Sequence, residues 1–110
     1  MKKKTLKIAE DFTKFPSGRF KTDGNYTGEH FREDILLPSL KANDQVIVDI
    51  NGVRGYGSSF LEESFGGIVR EKYFTENELR DRLIIQCSDA NSSYRTEIWQ
   101  YIKEAQNELG

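Results

Sequence analysis

Residues Asp49 to Gly67 read DINGVRGYGSSFLEESFGG, and this stretch decides both the fold and the candidate site. An apolar run at residues 46–50 predicts a buried strand that leads into it. A glycine-rich turn then delivers Ser58 and Ser59 to the start of a helix. Backbone N–H groups lack partners at a helix N-terminus, and the helix dipole favours negative charge there. Such a position can hold a phosphate, accept one covalently, or only cap the helix.

The rest of the chain alternates between strand and helix patterns, which predicts an α/β domain. Strands are expected at residues 6–12, 46–50 and 83–87, with a short one near Phe20. Helices are expected from residue 27 or 28, at 59–73, at 75–82, and after a cap at 89–93. Pro38 should kink or end the first helix, because proline lacks an N–H group. We therefore predict a small mixed sheet of three to five strands packed with about three to four helices.

The sequence of strand 46–50 also predicts how many faces of the sheet are covered by helices. Its apolar residues are almost uninterrupted, as in strands of parallel sheets that are covered by helices on both faces. We therefore expect this strand to be buried on both sides.

Length and composition describe one domain, residues 1–110. The chain has 16 basic and 18 acidic residues, and the net charge of −2 argues against nucleic-acid binding. No apolar run reaches the roughly 18 residues of a membrane span, and no apolar segment follows the lysines at 2–4 to form an export signal. The single Cys87 excludes an internal disulfide. We expect a cytoplasmic protein that binds neither nucleic acid nor membrane.

The glycine-rich turn fits no standard nucleotide motif. Its glycines have the order G-x-x-G-x-G, which is neither the dinucleotide fingerprint nor a Walker A loop. Ser59 and Glu62 fit a capping box, in which Ser59 caps the helix and Glu62 reaches back. Ser58 then has no capping role and lies at the carboxyl end of a strand, where open α/β sheets collect ligands and reactive groups.

Other residues near the turn suggest contacts. Gly66 and Gly67 lie inside a helix, where each costs about 1 kcal/mol relative to alanine, so we expect close approach to the sheet or to a partner chain. Tyr56 is expected to be exposed beside the serines, and it is a candidate interface residue because aromatic residues are enriched in binding hot spots. Arg54 is a candidate for gripping a phosphate or an acidic partner.

The segment 46–70 resembles the core motif of STAS domains, the fold of anti-anti-sigma factors. In that motif a strand ending in Asp and a Gly-Val pair lead to Asp-Ser-Ser-Gly-Leu-Gly at a helix start. The matching residues here are Val48 to Val53 and Gly57 to Leu61. Over residues 5–105 the chain more closely resembles a bacterial STAS-like domain family of unknown function. This resemblance rests on Ser17-Gly18-Arg19-Phe20, Asp23-Gly24, Gly28-Glu29-His30-Phe31-Arg32, Gly52-Val53 and Gly57 to Gly67.

The resemblance implies a non-enzymatic signalling module. In anti-anti-sigma factors a histidine-kinase-like ATPase, the anti-sigma-type kinase, phosphorylates the first serine of the pair, and phosphorylation breaks the complex. By position that serine is Ser58, and a phosphate adds about −1.5 to −2 charges. Two residues depart from the pattern, since Gly57 replaces the Asp and Phe60 replaces the Gly. Phe60 thereby becomes a candidate apolar contact for the partner.

The candidate site is therefore a surface that binds a partner or an anion and has no catalytic residue, metal or cofactor. Its members are Arg54, Gly55, Tyr56, Gly57, Ser58, Ser59 and Phe60. An alternative of another class is a small-ligand sensor, in which a nucleotide or another anion binds at the helix N-terminus near Ser58. The sequence does not indicate an oligomeric state.

Overall fold

Three parallel strands form one sheet in the computed structural model, which describes all residues from Met1 to Gly110. The strands are β1 (Lys3–Lys7), β2 (Gln45–Asp49) and β3 (Leu83–Gln86), and they lie side by side in that order. The α/β class and the expected strand number are confirmed, but the sheet is purely parallel rather than mixed. Each connection between neighbouring strands contains helix, which returns the chain to the same end of the sheet.

Four main helical segments pack with the sheet. They are α1 (residues 28–42), α2 (residues 58–70), α3 (Glu76–Arg82) and α4 (Ser92–Leu109). In their middle turns, Phe31–Leu36 and Glu62–Gly66, α1 and α2 adopt the wider π pattern, in which hydrogen bonds span five residues. Single helical turns occur at Ile8–Phe12, Lys21–Asp23 and Asp89–Asn91. The number of main helices agrees with the prediction.

The first predicted strand, 6–12, is displaced towards the N-terminus. Residues 8–12 form a turn instead, because the Lys7 N–H donates to the Asp11 carboxylate at 2.7 Å and the Thr13 N–H donates to the Ile8 carbonyl at 2.8 Å. The short strand predicted near Phe20 is absent, and the Phe20 N–H donates to a side-chain carboxylate at 2.8 Å. Short-range side-chain acceptors thus replace the strand hydrogen bonds that the pattern suggested.

Pro38 does not end α1, which continues to Ala42. The wider turn before the proline accounts for this. The Leu37 N–H donates to the Arg32 carbonyl, five residues back, instead of four. A wider turn leaves more room for the proline ring, which would clash with the preceding turn of a regular helix.

The helices cover only one face of the sheet. Five apolar side chains of the strands are buried on that face: Leu6, Val46, Val48, Leu83 and Ile85. On the opposite face Thr5 is exposed, Ile47 is half-buried and Ile84 is 43% exposed. The prediction that strand 46–50 is buried on both sides is therefore wrong, because Ile47 extends the apolar run but faces the open side.

The core lies between the covered face and the helices. The apolar positions predicted for α2 are all buried: Leu61, Phe65, Ile68 and Val69. The predicted capping box of α3 is confirmed, since Thr75 and Glu78 exchange hydrogen bonds of 3.2 and 2.9 Å. None of the helices has the length and apolar character needed to cross a bilayer.

Candidate functional site

Hydrogen bonds of Asp49 and Asn51, at the end of β2, fix the conformation of the turn that follows this strand. The Asp49 carboxylate accepts the Asn51 N–H at 2.9 Å. The Asn51 side-chain oxygen in turn accepts the Ser88 N–H at 2.9 Å and the Asn91 amide at 3.0 Å, which ties this turn to the one after β3. Gly52 has a φ of +83°, a conformation that glycine adopts without steric cost. Residues 51–57 therefore approach α2 along a defined path.

Tyr56 belongs to the core and not to the exposed surface. Its side chain is 9% exposed, and its hydroxyl donates to the Ile50 carbonyl at 2.8 Å. Its ring stacks on Phe60 with the centroids 6.0 Å apart, and it meets the Tyr94 ring edge-on at 5.2 Å. Burial, with smaller contributions from Asp49 and Tyr94, raises the pKa of Tyr56 well above its usual value. The expectation that Tyr56 is an exposed interface residue is wrong, because its hydroxyl donates to the carbonyl just after β2 and its ring packs against Phe60 and Tyr94.

Replacing Tyr56 with phenylalanine should therefore lower the free energy of unfolding by about 1 kcal/mol, because a buried carbonyl loses its hydrogen-bond donor. Urea unfolding of both forms measures the difference. The same substitution should leave partner binding unchanged. If the variant has wild-type stability but binds the partner more weakly, Tyr56 is an interface residue after all.

Phe60 is also buried, with 1% of its side chain exposed. Its ring lies 6.2 Å from the Phe12 ring and 6.1 Å from the Phe31 ring, measured between centroids. Phe60 therefore fixes the first turn of α2 against α1 and the turn at 8–12. The idea that Phe60 contacts a partner is wrong, since no face of this ring is free.

Ser58 and Ser59 are the accessible part of the predicted site. Gly57 is the N-cap residue, with extended dihedrals, and α2 begins at Ser58. Both serine side chains are exposed, and neither makes a hydrogen bond within the protein. The N–H groups of Ser58, Ser59 and Phe60 likewise have no acceptor, whereas the Leu61 N–H donates to the Gly57 carbonyl at 3.2 Å. Two hydroxyls and three amides are thus unpaired at the positive end of a helix.

The predicted capping box of Ser59 and Glu62 does not form. Glu62 instead binds the guanidinium groups of Arg19 and Arg70. Because these charged partners hold the carboxylate, it does not reach back to the helix start. Ser59 is therefore as free as Ser58.

The next turn of α2 carries a largely buried ion cluster, which holds α1 to α2 and consists of Arg19, Arg32, Glu62, Glu63 and Arg70. Glu63, 5% exposed, binds the Arg32 guanidinium, which is 3% exposed and also donates to the Glu63 carbonyl at 2.9 Å. Arg70 and Arg19 lie 3.0 and 3.2 Å from the Glu63 carboxylate. Burial raises the pKa of Glu63, but the hydrogen bond from Arg32, the charge of Arg70 and the hydrogen bond from Arg19 together outweigh it. The pKa of Glu63 is therefore held below its usual value.

Two glycines make room for this cluster. A Cβ atom on Gly28 would lie 2.7 Å from the Phe60 carbonyl oxygen, and one on Gly67 would collide with the Arg32 guanidinium. Gly66 lies close to the backbone of α4, where a Cβ would approach the Tyr101 carbonyl to 3.3 Å. The close approach expected of Gly66 and Gly67 thus occurs within the domain.

Arg54 and the glycines of the predicted site have different roles. The exposed Arg54 lies over the Phe15 ring, with 5.9 Å between the guanidinium carbon and the centroid, and its N–H donates to the Lys14 carbonyl at 3.2 Å. Gly55 is half-buried beside the Tyr94 hydroxyl. Gly57 is exposed, and a side chain there would meet nothing within 4 Å. Arg54, Gly57, Ser58 and Ser59 are thus the predicted residues that the surface presents.

Three exposed aromatic residues that the sequence analysis does not predict lie before α1, and Phe15 among them contacts Arg54. Phe15 is 63% exposed, Phe20 50% and Tyr26 49%, and all lie in the irregular segment before α1. Tyr26 meets the Phe12 ring edge-on at 5.5 Å, and Phe12 stacks on Phe60. The sequence does contain a signal for them: several aromatic residues lie in a segment without strand or helix periodicity. Side chains in such a segment cannot all face the core. We call Phe15, Arg54, Gly57, Ser58 and Ser59 the serine surface.

The cavities of the domain lie elsewhere. Neither Ser58 nor Ser59 lines any of the five cavities of the protein. The nearest along the chain, of about 370 Å³, opens at the carboxyl ends of β1 and β2 and is lined by Lys7, Ala9, Glu10, Lys14, Asp49, Asn51 and Gly52. The serine surface is therefore open, as a docking surface is, and is not enclosed like a small-molecule site.

Comparison with protein families gives one match. Residues 27–92 match the family described as a STAS-like domain of unknown function (DUF4325). The matched segment runs from the cap of α1 to the first residue of α4, so it includes the serine surface except Phe15, and the ion cluster except Arg19. The match is narrower than the expected 5–105 and leaves out two of the quoted motifs, Ser17 to Phe20 and Asp23-Gly24. No curated protein and no solved structure matches the chain.

Proposed function

Because the chain belongs to the family of STAS-like domains of unknown function, we propose that it is a non-enzymatic regulatory module that docks on a protein partner through the serine surface. The observation that supports this most is the free state of Ser58 and Ser59. Both hydroxyls are exposed, and neither they nor the N–H groups at the start of α2 have a partner within the domain. A partner can therefore cover these uncharged groups without breaking a hydrogen bond of the domain.

The exposed aromatic residues support the same surface. The Phe15 ring lies beneath the guanidinium of Arg54, and Arg54 precedes Ser58 by four residues. Aromatic and arginine side chains are enriched among the hot-spot residues of interfaces. The Arg54 guanidinium lies 5.9 Å from the centroid of the Phe15 ring, so the two side chains form one contact surface. Phe15 and Arg54 would provide the apolar contact that Tyr56 and Phe60, both buried, do not offer.

By resemblance to anti-anti-sigma factors, the partner we propose is a kinase of the histidine-kinase-like ATPase class, and Ser58 is its phosphoacceptor. The Ser58 hydroxyl is accessible, as a phosphoacceptor must be. A phosphate on Ser58 would lie one helical turn from Glu62, on the same side of α2. It would compete with Glu62 for Arg19, whose side chain is 32% exposed. Phosphorylation would thereby place a double negative charge in the interface and disturb the adjoining ion pairs.

Replacing Phe15 with alanine should weaken partner binding about tenfold, which is typical of a hot-spot residue. The free energy of unfolding should change by less than about 0.5 kcal/mol, because Phe15 is exposed. Leu109→Ala, at an exposed position near the C-terminus, is the matched control and should bind normally. Titration of the partner against the three proteins measures the effect. Equal affinities would remove the aromatic contact from the proposal.

The alternative function is a small-ligand sensor. It is favoured by the three unpaired N–H groups at the start of α2. A thermal-shift panel of nucleotides and inorganic anions tests it, because a bound ligand raises the melting temperature by mass action. A shift that Ser58→Glu abolishes would favour the sensor. If no ligand raises the melting temperature at millimolar concentration, the result favours the docking module over the sensor.

A further inference from the structure

A second surface with unusual composition lies on the outer side of α4. An open groove of about 450 Å³ is lined by Arg80, Arg95, Thr96, Trp99, Gln100 and Lys103, which we call the Trp99 groove. Five of these residues come from α4, and Arg80 comes from α3. The groove contains three cationic side chains and no carboxylate, in a chain whose net charge is −2.

Two of the three cations have no partner within the protein. Arg80 binds the Glu76 carboxylate at 2.8 Å, so its charge is largely neutralised. Arg95 and Lys103 are exposed and lie beyond 4.0 Å from every carboxylate. Glu104, next to Lys103 in the chain, accepts a hydrogen bond from Gln100 at 3.2 Å. The free charge of the groove is thus carried by Arg95 and Lys103.

Trp99 lies between these two cations and is already fixed in place. The Arg80 guanidinium lies over one face of the indole ring, 5.0 Å from the centroid. The ring is half-buried, and it packs against the edge of the core. A tryptophan held in this way offers an apolar contact without a large loss of side-chain entropy, which is the usual anchor of a peptide-binding surface.

We propose that the Trp99 groove is a second docking surface, which binds an acidic peptide segment of a protein partner. Arg95 and Lys103 lie two turns apart on α4, about 12 Å along its axis. An extended peptide covers that distance in about four residues. The peptide that fits therefore has two acidic residues about four positions apart. An apolar or aromatic residue between them packs on Trp99.

A peptide fits these features better than a nucleic acid does. Nucleic-acid binding gains most of its affinity from many phosphate contacts, whereas the groove offers two free cations. Base stacking needs an open aromatic face, and Arg80 covers one face of Trp99. Carboxylates at two points with an apolar side chain between them match the charge and the shape.

The test begins with selection of peptides from a random display library on the wild-type protein. We expect the selected sequences to contain two acidic residues that flank an apolar one. The best peptide is then titrated against the protein, with the fluorescence of Trp99 as the signal, because Trp99 is the only tryptophan in the chain. Arg95→Glu/Lys103→Glu should weaken binding at least tenfold. Lys2→Glu/Lys3→Glu changes the net charge equally at other exposed positions and should weaken it less than threefold.

Three kinds of result would overturn the proposal. The first is a peptide experiment that shows no role for the charges: either the selection yields no acidic sequences, or the two double variants weaken peptide binding equally. The second is tighter binding of a 20-nucleotide oligo(dT) than of the peptide, which would make the groove a nucleic-acid surface. The third is a homodimer that only Arg95→Glu/Lys103→Glu dissociates, which would assign the groove to a second copy. Urea unfolding of both variants checks that each remains folded.

Discussion

Replacing Glu63 with glutamine should lower the free energy of unfolding by about 3 kcal/mol. The substitution keeps the shape of the side chain but leaves the Arg32 guanidinium buried with only the half-buried Glu33 as its charged partner. Removing one member of a buried ion pair costs about 3–5 kcal/mol, and the remaining contact to Glu33 places the expected value at the lower end. Against a total stability of about 5–15 kcal/mol this is a large loss. Urea unfolding at pH 7 measures it.

The pH dependence of stability gives the same prediction a second readout. The folded-state pKa of Glu63 is lowered, so its stabilising contribution is fully present above the unfolded pKa of about 4.3 and is lost as the pH falls through the folded pKa. The difference in stability between wild type and Glu63→Gln should therefore shrink below about pH 4. Glutamine does not titrate, so the variant lacks this part of the acid-induced loss.

Two controls separate the charge from the packing. Glu71→Gln changes an exposed carboxylate one residue after α2 and should alter the free energy of unfolding by less than about 0.5 kcal/mol. Arg32→Met/Glu63→Gln removes the unpaired buried charge and should be more stable than Glu63→Gln alone. A loss below 1 kcal/mol in Glu63→Gln would show that the ion cluster does not hold α1 to α2.

The second large effect is expected at Ser58. Ser58→Glu should weaken binding of the kinase-type partner at least tenfold, because it places a charge in the proposed interface one turn from Glu62. Ser58→Ala should bind as the wild type does, since docking requires only an uncharged residue there. The fold should tolerate the glutamate, because a negative charge at a helix start is stabilising and offsets the repulsion from Glu62.

Ser93→Glu is the matched control for this experiment. Ser93 is an exposed serine in the first turn of α4, so the substitution makes the same chemical change at another helix start. It should leave partner binding unaltered. If Ser58→Glu and Ser93→Glu bind equally well, the serine surface is not the site of the switch.

The elements that sequence patterns predict well are those whose signal is local. Strands β2 and β3 have compact apolar runs between turn residues, and the apolar stripe of α2 has helical spacing. The capping box at Thr75 involves residues three apart and forms as expected. The position of Ser58 and Ser59 at the start of α2 also follows from local order, because a strand, a glycine-rich turn and a helix succeed one another within 46–61.

The predictions that fail depend on partners far away in the chain. Ser59 and Glu62 fit a capping box by spacing, but Arg19, 43 residues before Glu62, takes the carboxylate. Tyr56 is next to exposed residues in sequence, yet its hydroxyl reaches the Ile50 carbonyl and its ring meets Tyr94 of α4. An apolar run does not reveal which face of a sheet is covered, so Ile47 was assigned to the wrong environment. Such contacts are set by the packing of the whole domain.

Docking of a kinase-type partner at Ser58 can be tested by a pull-down from the native host's lysate. Wild type, Ser58→Glu and Ser93→Glu serve as parallel baits, and mass spectrometry identifies and quantifies the retained proteins. The proposal predicts that an ATPase-fold kinase is retained by wild type and Ser93→Glu and is lost from Ser58→Glu. A kinase retained equally by all three baits, or no retained kinase at all, would contradict it.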